Sequence, residues 1–176
     1  MSELRKTSPD DLYSTTLSMV GWIDSFTRES YKEIIIDNLR FCQENENLEI
    51  YAYVIMSNHL HLVCSRLDKD LKELIGRFKG YTLKLFLKEI KNNIAESRKD
   101  WLLELFHRSA FKNKQCSEFH LEQYTDFPVS IYSNQIIEQK INHIHNNPVR
   151  AGLVFEPENY KYSNACTESP LEVIQI

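Results

Sequence analysis

The sequence lacks any long run of hydrophobic residues, and its first residues contain no apolar segment. The most apolar stretch, Tyr51–Met56, has the length of a β-strand and is far shorter than the roughly 20 residues of a membrane helix. The opening residues MSELRKTSPDD contain no hydrophobic core of the kind that marks a secretory signal. We therefore expect a cytoplasmic protein that does not associate with membranes.

Glycine and proline are scarce, and no two cysteines are closely spaced. With four glycines and five prolines the sequence has no linker-like stretch, so we expect a single domain over residues 1–176. The absence of a Cys-x-x-Cys pair argues against a zinc ribbon, and the absence of a secretion signal argues against a disulfide framework. The cysteines are expected to be reduced and mostly buried: Cys42, Cys64, Cys116 and Cys166.

An excess of positive charge is also missing, because the formal net charge is −4 at pH 7. Contacts to phosphate need Lys and Arg, so this value weighs against a nucleic-acid partner. The charge is unevenly distributed, however. Residues 66–91 contain eight Lys and Arg against four Asp and Glu, and therefore carry +4. Such a basic segment fits either a solvated helix surface or a phosphate site.

Alternating apolar residues and turn-forming residues predict the strands. Residues 12–20 are rich in Thr, Ser and aliphatic side chains, which favour a strand. Residues 48–56 and 59–66 form two further candidates that are separated by a two-residue turn. Both faces of 48–56 carry apolar side chains, which indicates a central position in a sheet. A short strand is also expected near residues 118–124.

Apolar residues at helical spacing predict four helices. The first covers residues 28–45 with Thr27 as its N-cap, and the second covers 68–92 with its first residue, an aspartate, as N-cap. A third is expected over 96–111. The last covers residues 133–147: Ser133 is its N-cap, and the pair Asn147-Pro148 ends it.

The order of these elements, β-α-β-β-α-α-β-α, determines the expected fold class. It predicts an α+β protein with a ferredoxin-like antiparallel sheet and helices packed on one face. Two glycines, Gly76 and Gly80, lie four residues apart inside the second helix. Each lowers helix stability by about 1 kcal/mol relative to alanine, so we expect close backbone packing or a kink there.

The most informative short pattern is His59-Leu60-His61 on the third predicted strand. Alternate residues of a strand point to the same face, so the two imidazoles lie side by side while Leu60 points to the core. Two neighbouring imidazoles form half of a divalent metal site. An ordinary polar sheet face would give the same pattern, and the residues alone leave that alternative open.

The segment Lys140–Val154 contains the second informative pattern. His143 and Asn147 are four residues apart and are expected to share a helix face. A helix packed beside the His-x-His strand could then offer one reactive side chain and one oxygen ligand. The same residues would also serve as an ordinary helix end, because Pro148 stops helices and Gly152 permits the turn that follows.

Together these motifs resemble those of the HUH single-strand DNA transposases, of the REP-associated tyrosine type. VIMSNHLHLV looks like the His-hydrophobic-His element of that superfamily. INHIHNNPVRAGLV is similar to a segment that reads approximately Asn-Tyr-Ile-His-Asn-Asn-Pro-Val-Arg-Ala-Gly in the REP-associated type. Further similarity is found in residues 20–28, 98–106 and 157–165, so the resemblance extends over nearly the whole chain.

The resemblance implies a metal-dependent reaction on single-stranded DNA. His59 and His61 would bind Mg²⁺ or Mn²⁺, with the amide oxygen of Asn147 as a third ligand. In the family a tyrosine attacks the phosphate and forms a covalent 5′ link, which a later step rejoins to another DNA end. The position of that tyrosine corresponds to His143 in this sequence.

This replacement leaves several possibilities open. The protein could bind metal and hairpin DNA without cutting it, or His143 could itself attack phosphorus, since neutral imidazole is a nucleophile. Another tyrosine could take the role, with Tyr81, Tyr124 and Tyr132 as candidates. The histidine could also become an extra metal ligand that favours Zn²⁺ or Ni²⁺.

The expected partner is single-stranded DNA that folds into a hairpin, bound by a chain that could act as a homodimer. Five cations are expected to contact its phosphates: Arg77, Lys79, Lys84, Lys88 and Arg150. Tyr51 and Tyr53 could offer rings for base stacking, although core aromatic residues would give the same pattern. A non-catalytic DNA-binding module and a small metal-dependent hydrolase are the alternatives from other classes.

Overall fold

A computed structural model describes residues 11–18, 24–112 and 128–176 of the chain, without the side chains of residues 109–112. The elements follow one another as β1 (Tyr13–Ser18), a 3₁₀ turn (Ser25–Thr27), α1 (Glu29–Asn45), β2 (Leu48–Ile55), β3 (His59–Arg66), α2 (Leu71–Asn92), α3 (Lys99–Lys112), β4 (Val129–Ser130), α4 (Asn134–His145), α5 (Asn147–Arg150) and a second 3₁₀ turn (Pro157–Asn159). Among the helices of these described ranges, none has the length and apolar character needed to span a membrane.

The four strands form one antiparallel sheet in the order β2-β3-β1-β4. The predicted α+β class with a ferredoxin-like antiparallel sheet is therefore confirmed. The fourth strand is the two-residue β4, which pairs with the start of β1. The strand predicted near residues 118–124 lies outside the described residues.

The two faces of the sheet carry different helices. Leu60 of β3 borders a small apolar crevice together with Leu17 of β1, Ile35 of α1 and Phe78 of α2. His61 is the next residue and points to the opposite face, where its ring lies near a ring on α4. The prediction of helices on one face therefore holds for α1 and α2, whereas α4 lies over the other face.

The core between the sheet and α1 and α2 follows the predicted apolar stripes. Each of these helices buries residues at helical spacing, including Ile35 and Leu39 on α1 and Leu74 and Phe78 on α2. Complete burial of one such side chain contributes about 1.5–3 kcal/mol. Of the cysteines, Cys42 and Cys64 are buried and free, Cys166 is partly exposed and free, and Cys116 lies outside the described residues.

Both predicted N-caps of the first two helices are wrong by one or two residues. Arg28 occupies the N-cap position of α1 without a side-chain cap, and the hydroxyl of Thr27 accepts a hydrogen bond from Arg98. On α2 the capping residue is Asp70, whose carboxylate accepts from the backbone N–H two residues further on at 2.9 Å. Asp68 instead adopts a left-handed turn conformation with φ of 60°.

The last helix begins as predicted and ends differently. Ser133 caps α4, because its hydroxyl accepts a hydrogen bond from the backbone N–H of Ile136 at 3.3 Å. Asn147 does not end the helical path; it begins the short helix α5 after a break at Asn146. Pro148 is tolerated in the first turn of α5, where a missing N–H leaves no intrahelical hydrogen bond unmade.

The two glycines of α2 do not mark a close approach. A Cβ atom added to Gly76 or Gly80 would meet no atom within 4 Å, and α2 is continuous through both positions. The expected close packing or kink is therefore wrong.

In the described sheet β2 is an edge strand and not the central strand that its sequence predicted; the C-terminal tail covers its outer edge. Ile55 donates its backbone N–H to the carbonyl of Tyr162 at 2.9 Å, and Ile174 donates to the carbonyl of Ile50 at 2.8 Å. The tail therefore follows β2 as an extended wrap. It buries Tyr53, whose hydroxyl hydrogen-bonds Ser169, so this ring is not available for base stacking.

A buried carboxylate ties the start of α3 to α1. The third helix begins at Lys99 rather than at residue 96, because Glu96 turns inward and accepts hydrogen bonds from Arg28 and Tyr31 at 2.9 and 2.8 Å. Arg98 donates to the same carboxylate from its backbone N–H and its side chain. Burial alone would raise the pKa of Glu96, but these donors outweigh it and lower the pKa to about 2.

We predict that Glu96→Gln lowers the free energy of unfolding by about 3 kcal/mol at pH 7, because it removes the buried charge that two arginines face. The folded pKa lies below the ordinary value of 4.5, so this contribution is present above pH 4.5 and is lost as the pH falls towards 2. Urea denaturation at pH 7 and pH 3 measures it. Glu104→Gln, which breaks the exposed pair with Arg108, serves as control. If both variants lost the same free energy of unfolding at pH 7, the stabilising role of the buried Glu96 carboxylate would be refuted.

Candidate metal and nucleic-acid site

The pairing of β1 with β3 positions two imidazoles side by side. His61 lies opposite Thr16, and His59 lies opposite Ser18. The ring centroids of the two histidines are 4.6 Å apart, at an interplanar angle of 74°. The predicted adjacency of His59 and His61 on one sheet face is therefore present in the structure.

The Nδ1 atom of each imidazole has a hydrogen-bond partner. His61 Nδ1 lies 2.8 Å from the hydroxyl oxygen of Thr16, and His59 Nδ1 lies 2.6 Å from the side-chain oxygen of Asn58. In the tautomer that donates from Nδ1, the lone pair of the ring is on Nε2. Metal-binding histidines commonly have this arrangement, in which one nitrogen is fixed by a hydrogen bond and the other is the ligand.

The surroundings keep both rings neutral. Burial lowers the pKa of His61 to about 3, with further contributions from the neighbouring His59, His143 and Lys140. Burial also lowers the pKa of His59, and His143 adds to that effect. Both imidazoles therefore carry no proton on one nitrogen at pH 7, which is the form that binds a metal ion.

Helix α4 brings His143 to this pair. The ring centroids of His61 and His143 are 5.6 Å apart, although the two residues are distant in sequence. Arg150 of α5 donates from Nη1 to Nδ1 of His143 at 3.0 Å. A guanidinium group has no acceptor, so Nδ1 of His143 accepts this bond and the neutral ring has its proton on Nε2.

The position of this proton determines what His143 can do. Burial, together with Arg150 and Lys140, lowers the pKa of His143, which keeps the ring neutral at pH 7. Its Nε2 atom can then donate a hydrogen bond but has no lone pair in the ring plane, while Nδ1 accepts from Arg150. His143, which the sequence resemblance aligned with a nucleophilic tyrosine, is therefore arranged as a hydrogen-bond donor.

A third metal ligand is less well defined than the two histidines. No three His, Cys, Asp or Glu side chains within residues 11–18, 24–112 and 128–176 are arranged to hold a metal ion together. The possibility that His143 becomes an extra ligand therefore has no support from a preformed cluster and stays a prediction. Asn147 is partly buried at the start of α5 and has no hydrogen bond to either histidine in the described structure, so its role as a ligand stays a prediction.

The cations predicted to bind phosphate are distributed over both sides of the sheet. Arg150 is exposed beside His143, on the histidine face. Lys84 and Lys88 are exposed on α2, which packs against the other face. Arg77 lies on α2 too, and Glu46 accepts two hydrogen bonds from its guanidinium at 2.8 and 2.9 Å.

Lys79 occupies a different side of α2 from the other cations. It borders the crevice that Leu17 and Leu60 line, close to the sheet. The structure thus groups Arg150 with the histidines and separates the four α2 cations from them. Their predicted contacts with phosphate stay untested.

The two candidate replacement nucleophiles among the described residues are not grouped with the histidines. Tyr81 lies on α2, beyond the opposite face of the sheet. Tyr132 is exposed after β4 and donates its hydroxyl proton to Ser130 at 2.7 Å. Tyr124 lies outside the described residues.

Sequence reasoning missed Thr16 and Asn58, which fix the two imidazoles. Asn58 precedes His59 directly, and its turn position could have suggested a local hydrogen bond. Thr16 reaches His61 only through the register of β1 with β3, which no local pattern reveals.

The fold determined by this sheet and these helices is shared with a solved structure described as the REP-associated tyrosine transposase bound to a REP hairpin. The similarity has a TM-score of 0.63 and covers 93% of this chain and 82% of that one. At 15% sequence identity it establishes a common fold. Comparison with curated proteins gives no match.

The family is established by sequence. The profile of the family described as "Transposase IS200 like" matches residues 22–124, which is more than half of the chain and includes both β3 histidines. The chain belongs to the IS200-like transposase family.

We predict that Arg150→Met releases the ring of His143 from its single tautomer. In long-range ¹H–¹⁵N spectra the unsubstituted protein should show Nε2–H alone for His143, whereas the variant should show a mixture. Removal of the guanidinium charge should also raise the pKa of His143, because a nearby cation disfavours protonation. Arg40→Met, on the outer surface of α1, is the control. An unchanged tautomer in Arg150→Met would show that the hydrogen bond does not determine it.

Proposed function

We propose that this chain binds hairpin-forming single-stranded DNA on its histidine face, together with a divalent cation, and holds a phosphate there without cutting the strand through His143. The observation that carries the proposal is the hydrogen bond from Arg150 to Nδ1 of His143. It supplies a donor where the family has a nucleophile. Family membership and the hairpin named for the similar structure support DNA as the partner.

The donor set of the histidine face suits a metal ion. His59 and His61 would hold Mg²⁺ or Mn²⁺ through nitrogen, and Asn147 would add its amide oxygen. A divalent cation bound there would supply positive charge to a phosphate oxygen. The neutral state of both imidazoles and their Nδ1 partners are the structural support for this assignment.

The residues beside the two histidines suit a phosphate. Nε2–H of His143 can donate to a phosphate oxygen, and the guanidinium of Arg150 retains further N–H groups for the same anion. Lys140 lies one turn before His143 on α4 and adds a third positive or donor group. Within the described residues neither Lys140 nor Arg150 forms an ion pair with an acidic side chain, so their charge is available to DNA.

Cleavage by His143 is disfavoured by the same geometry. Attack on phosphorus needs a lone pair, and in the observed tautomer the lone pair of His143 faces Arg150 rather than the site. The opposite tautomer would place Nδ1–H against a guanidinium N–H and lose the hydrogen bond. Histidine is also shorter than tyrosine, so its ring nitrogen would be displaced from the position of a phenol oxygen.

We predict that the full-length protein retains a labelled DNA hairpin on a native gel with Mn²⁺ and forms no covalent adduct on a denaturing gel. His143→Tyr should form the adduct, because it restores a phenol beside the two imidazoles. His143→Phe is the matched control, since it has the ring without the hydroxyl. A covalent adduct with the unsubstituted protein would refute the proposal that it holds DNA without cutting it.

The metal assignment is tested separately. We predict that Thr16→Val lowers the affinity for Mn²⁺ by about 10- to 100-fold, because it removes the hydroxyl that orients His61. Thr16→Ser should retain the affinity, and His59→Ala should abolish measurable binding. Isothermal titration with MnCl₂ measures each variant. His107→Ala, at an exposed position of α3, is the control. A similar affinity for Mn²⁺ in all variants would show that the metal does not bind at His59 and His61.

A further inference from the structure

We infer that a second DNA-binding site lies between α1 and α2 and receives an unpaired base of single-stranded DNA. The stacking pocket, as we name it, is a cavity of about 300 Å³ whose lining includes the rings of Phe41, Phe78 and Tyr81 and the ion pair of Glu46 with Arg77. Its volume is at the lower end of the roughly 300–1,000 Å³ range of small-ligand pockets. The inference takes single-stranded DNA from the proposed function and adds a site on the opposite side of the sheet.

Two exposed aromatic rings border this cavity. Phe41 of α1 and Tyr81 of α2 are each 55% exposed, so neither is part of the core. A single exposed ring is common on protein surfaces, but here two rings from neighbouring helices line the same opening. Every nucleobase has an aromatic face, so a pair of rings of this kind can bind an unpaired base without sequence preference.

Positive charge follows the same strip of α2. On a helix, residues three and four apart are neighbours, so Arg77 lies one turn before Tyr81 and Lys84 lies one turn after it. Lys88 continues the column by another turn. Neither Lys84 nor Lys88 forms an ion pair with any described residue. A nucleic-acid backbone supplies negative charges for these two lysines, spaced along a strand that presents bases beside them.

Arg77 has a different role from the two lysines. Glu46 receives two hydrogen bonds from Arg77 and a third from Arg66 at 2.7 Å, so the guanidinium of Arg77 is held in place at the wall of the pocket. A fixed guanidinium plane offers a further flat surface for a base. Tyr53, which sequence reasoning considered for stacking, is buried, and Tyr51 is partly buried with its hydroxyl bonded to Glu49.

The direct test uses the full-length protein and a fluorescent deoxythymidine oligonucleotide that cannot form a hairpin, in buffer with EDTA. Tyr81→Ala and Phe41→Ala should each weaken binding by about 5- to 150-fold, the range for loss of one stacking contact. Tyr81→Phe should bind like the unsubstituted protein, because it keeps the ring. Phe155→Ala, which removes a ring that is 94% exposed elsewhere, is the matched control. Unchanged affinity for both Tyr81→Ala and Phe41→Ala would overturn the site.

The contribution of charge is tested by salt dependence. Lys84→Gln should reduce the slope of the logarithm of the binding constant against the logarithm of salt concentration by about 0.7, the value for one phosphate contact on a single strand. Lys88→Gln should have the same effect. Equal slopes for all three proteins would overturn the assignment of this column to phosphate.

Photochemical cross-linking identifies the contact directly. An oligonucleotide that contains 5-iodouracil should cross-link to Phe41 or Tyr81 on irradiation, as mass spectrometry of the peptides would show. Cross-links confined to other parts of the chain would contradict the stacking pocket. If poly-glutamate competes as well as DNA and Tyr81→Ala leaves that competition unchanged, the surface binds negative charge in general and the inference is wrong.

Failure of this inference can be distinguished from failure of the proposed function. His59→Ala should leave oligonucleotide binding in EDTA unchanged, because the stacking pocket and the histidines lie on opposite sides of the sheet. Conversely, Tyr81→Ala should leave the affinity for Mn²⁺ unchanged. Loss of oligonucleotide binding in His59→Ala would place the bound strand on the histidine face and overturn the stacking pocket alone.

Discussion

The alternation of side chains along β3 is the constraint on which the candidate site depends. Leu60 enters the core beside α1 and α2, and this fixes the strand so that the residues on either side of it face the opposite way. A shift of one residue would bury both imidazoles and expose the leucine, so the core energetically enforces the orientation of the histidine pair. The register with β1 then adds the hydroxyl of Thr16 to His61.

The chemistry of the site depends on a hydrogen bond rather than on a change of fold. The chain has the fold of the transposase structure and the sequence of an IS200-like transposase, with paired imidazoles on its sheet. Arg150 determines which nitrogen of His143 is protonated. In the proposal, one basic side chain thereby converts the position of a nucleophile into a position that binds an anion, while the rest of the face keeps its arrangement.

Local patterns predicted the local features well. The period-two pattern gave the adjacency of His59 and His61, and a serine before an apolar helix gave the Ser133 cap, because both depend on residues that are near in sequence. The partner of His61 and the tautomer of His143 depend on strand register and on the turn after α4, which are not local. The column of α2 cations was recognised as basic, but the sequence could not show that it lies across the sheet from the histidines.

The C-terminal tail limits how copies of this chain can associate. Because it hydrogen-bonds along the outer edge of β2, that edge offers no continuous row of open backbone groups to another strand. On the opposite side the described sheet ends in β4, which has only two residues and pairs with Tyr13 and Ser14 of β1. A second copy that continued the sheet on the β2 side would therefore first have to displace the tail.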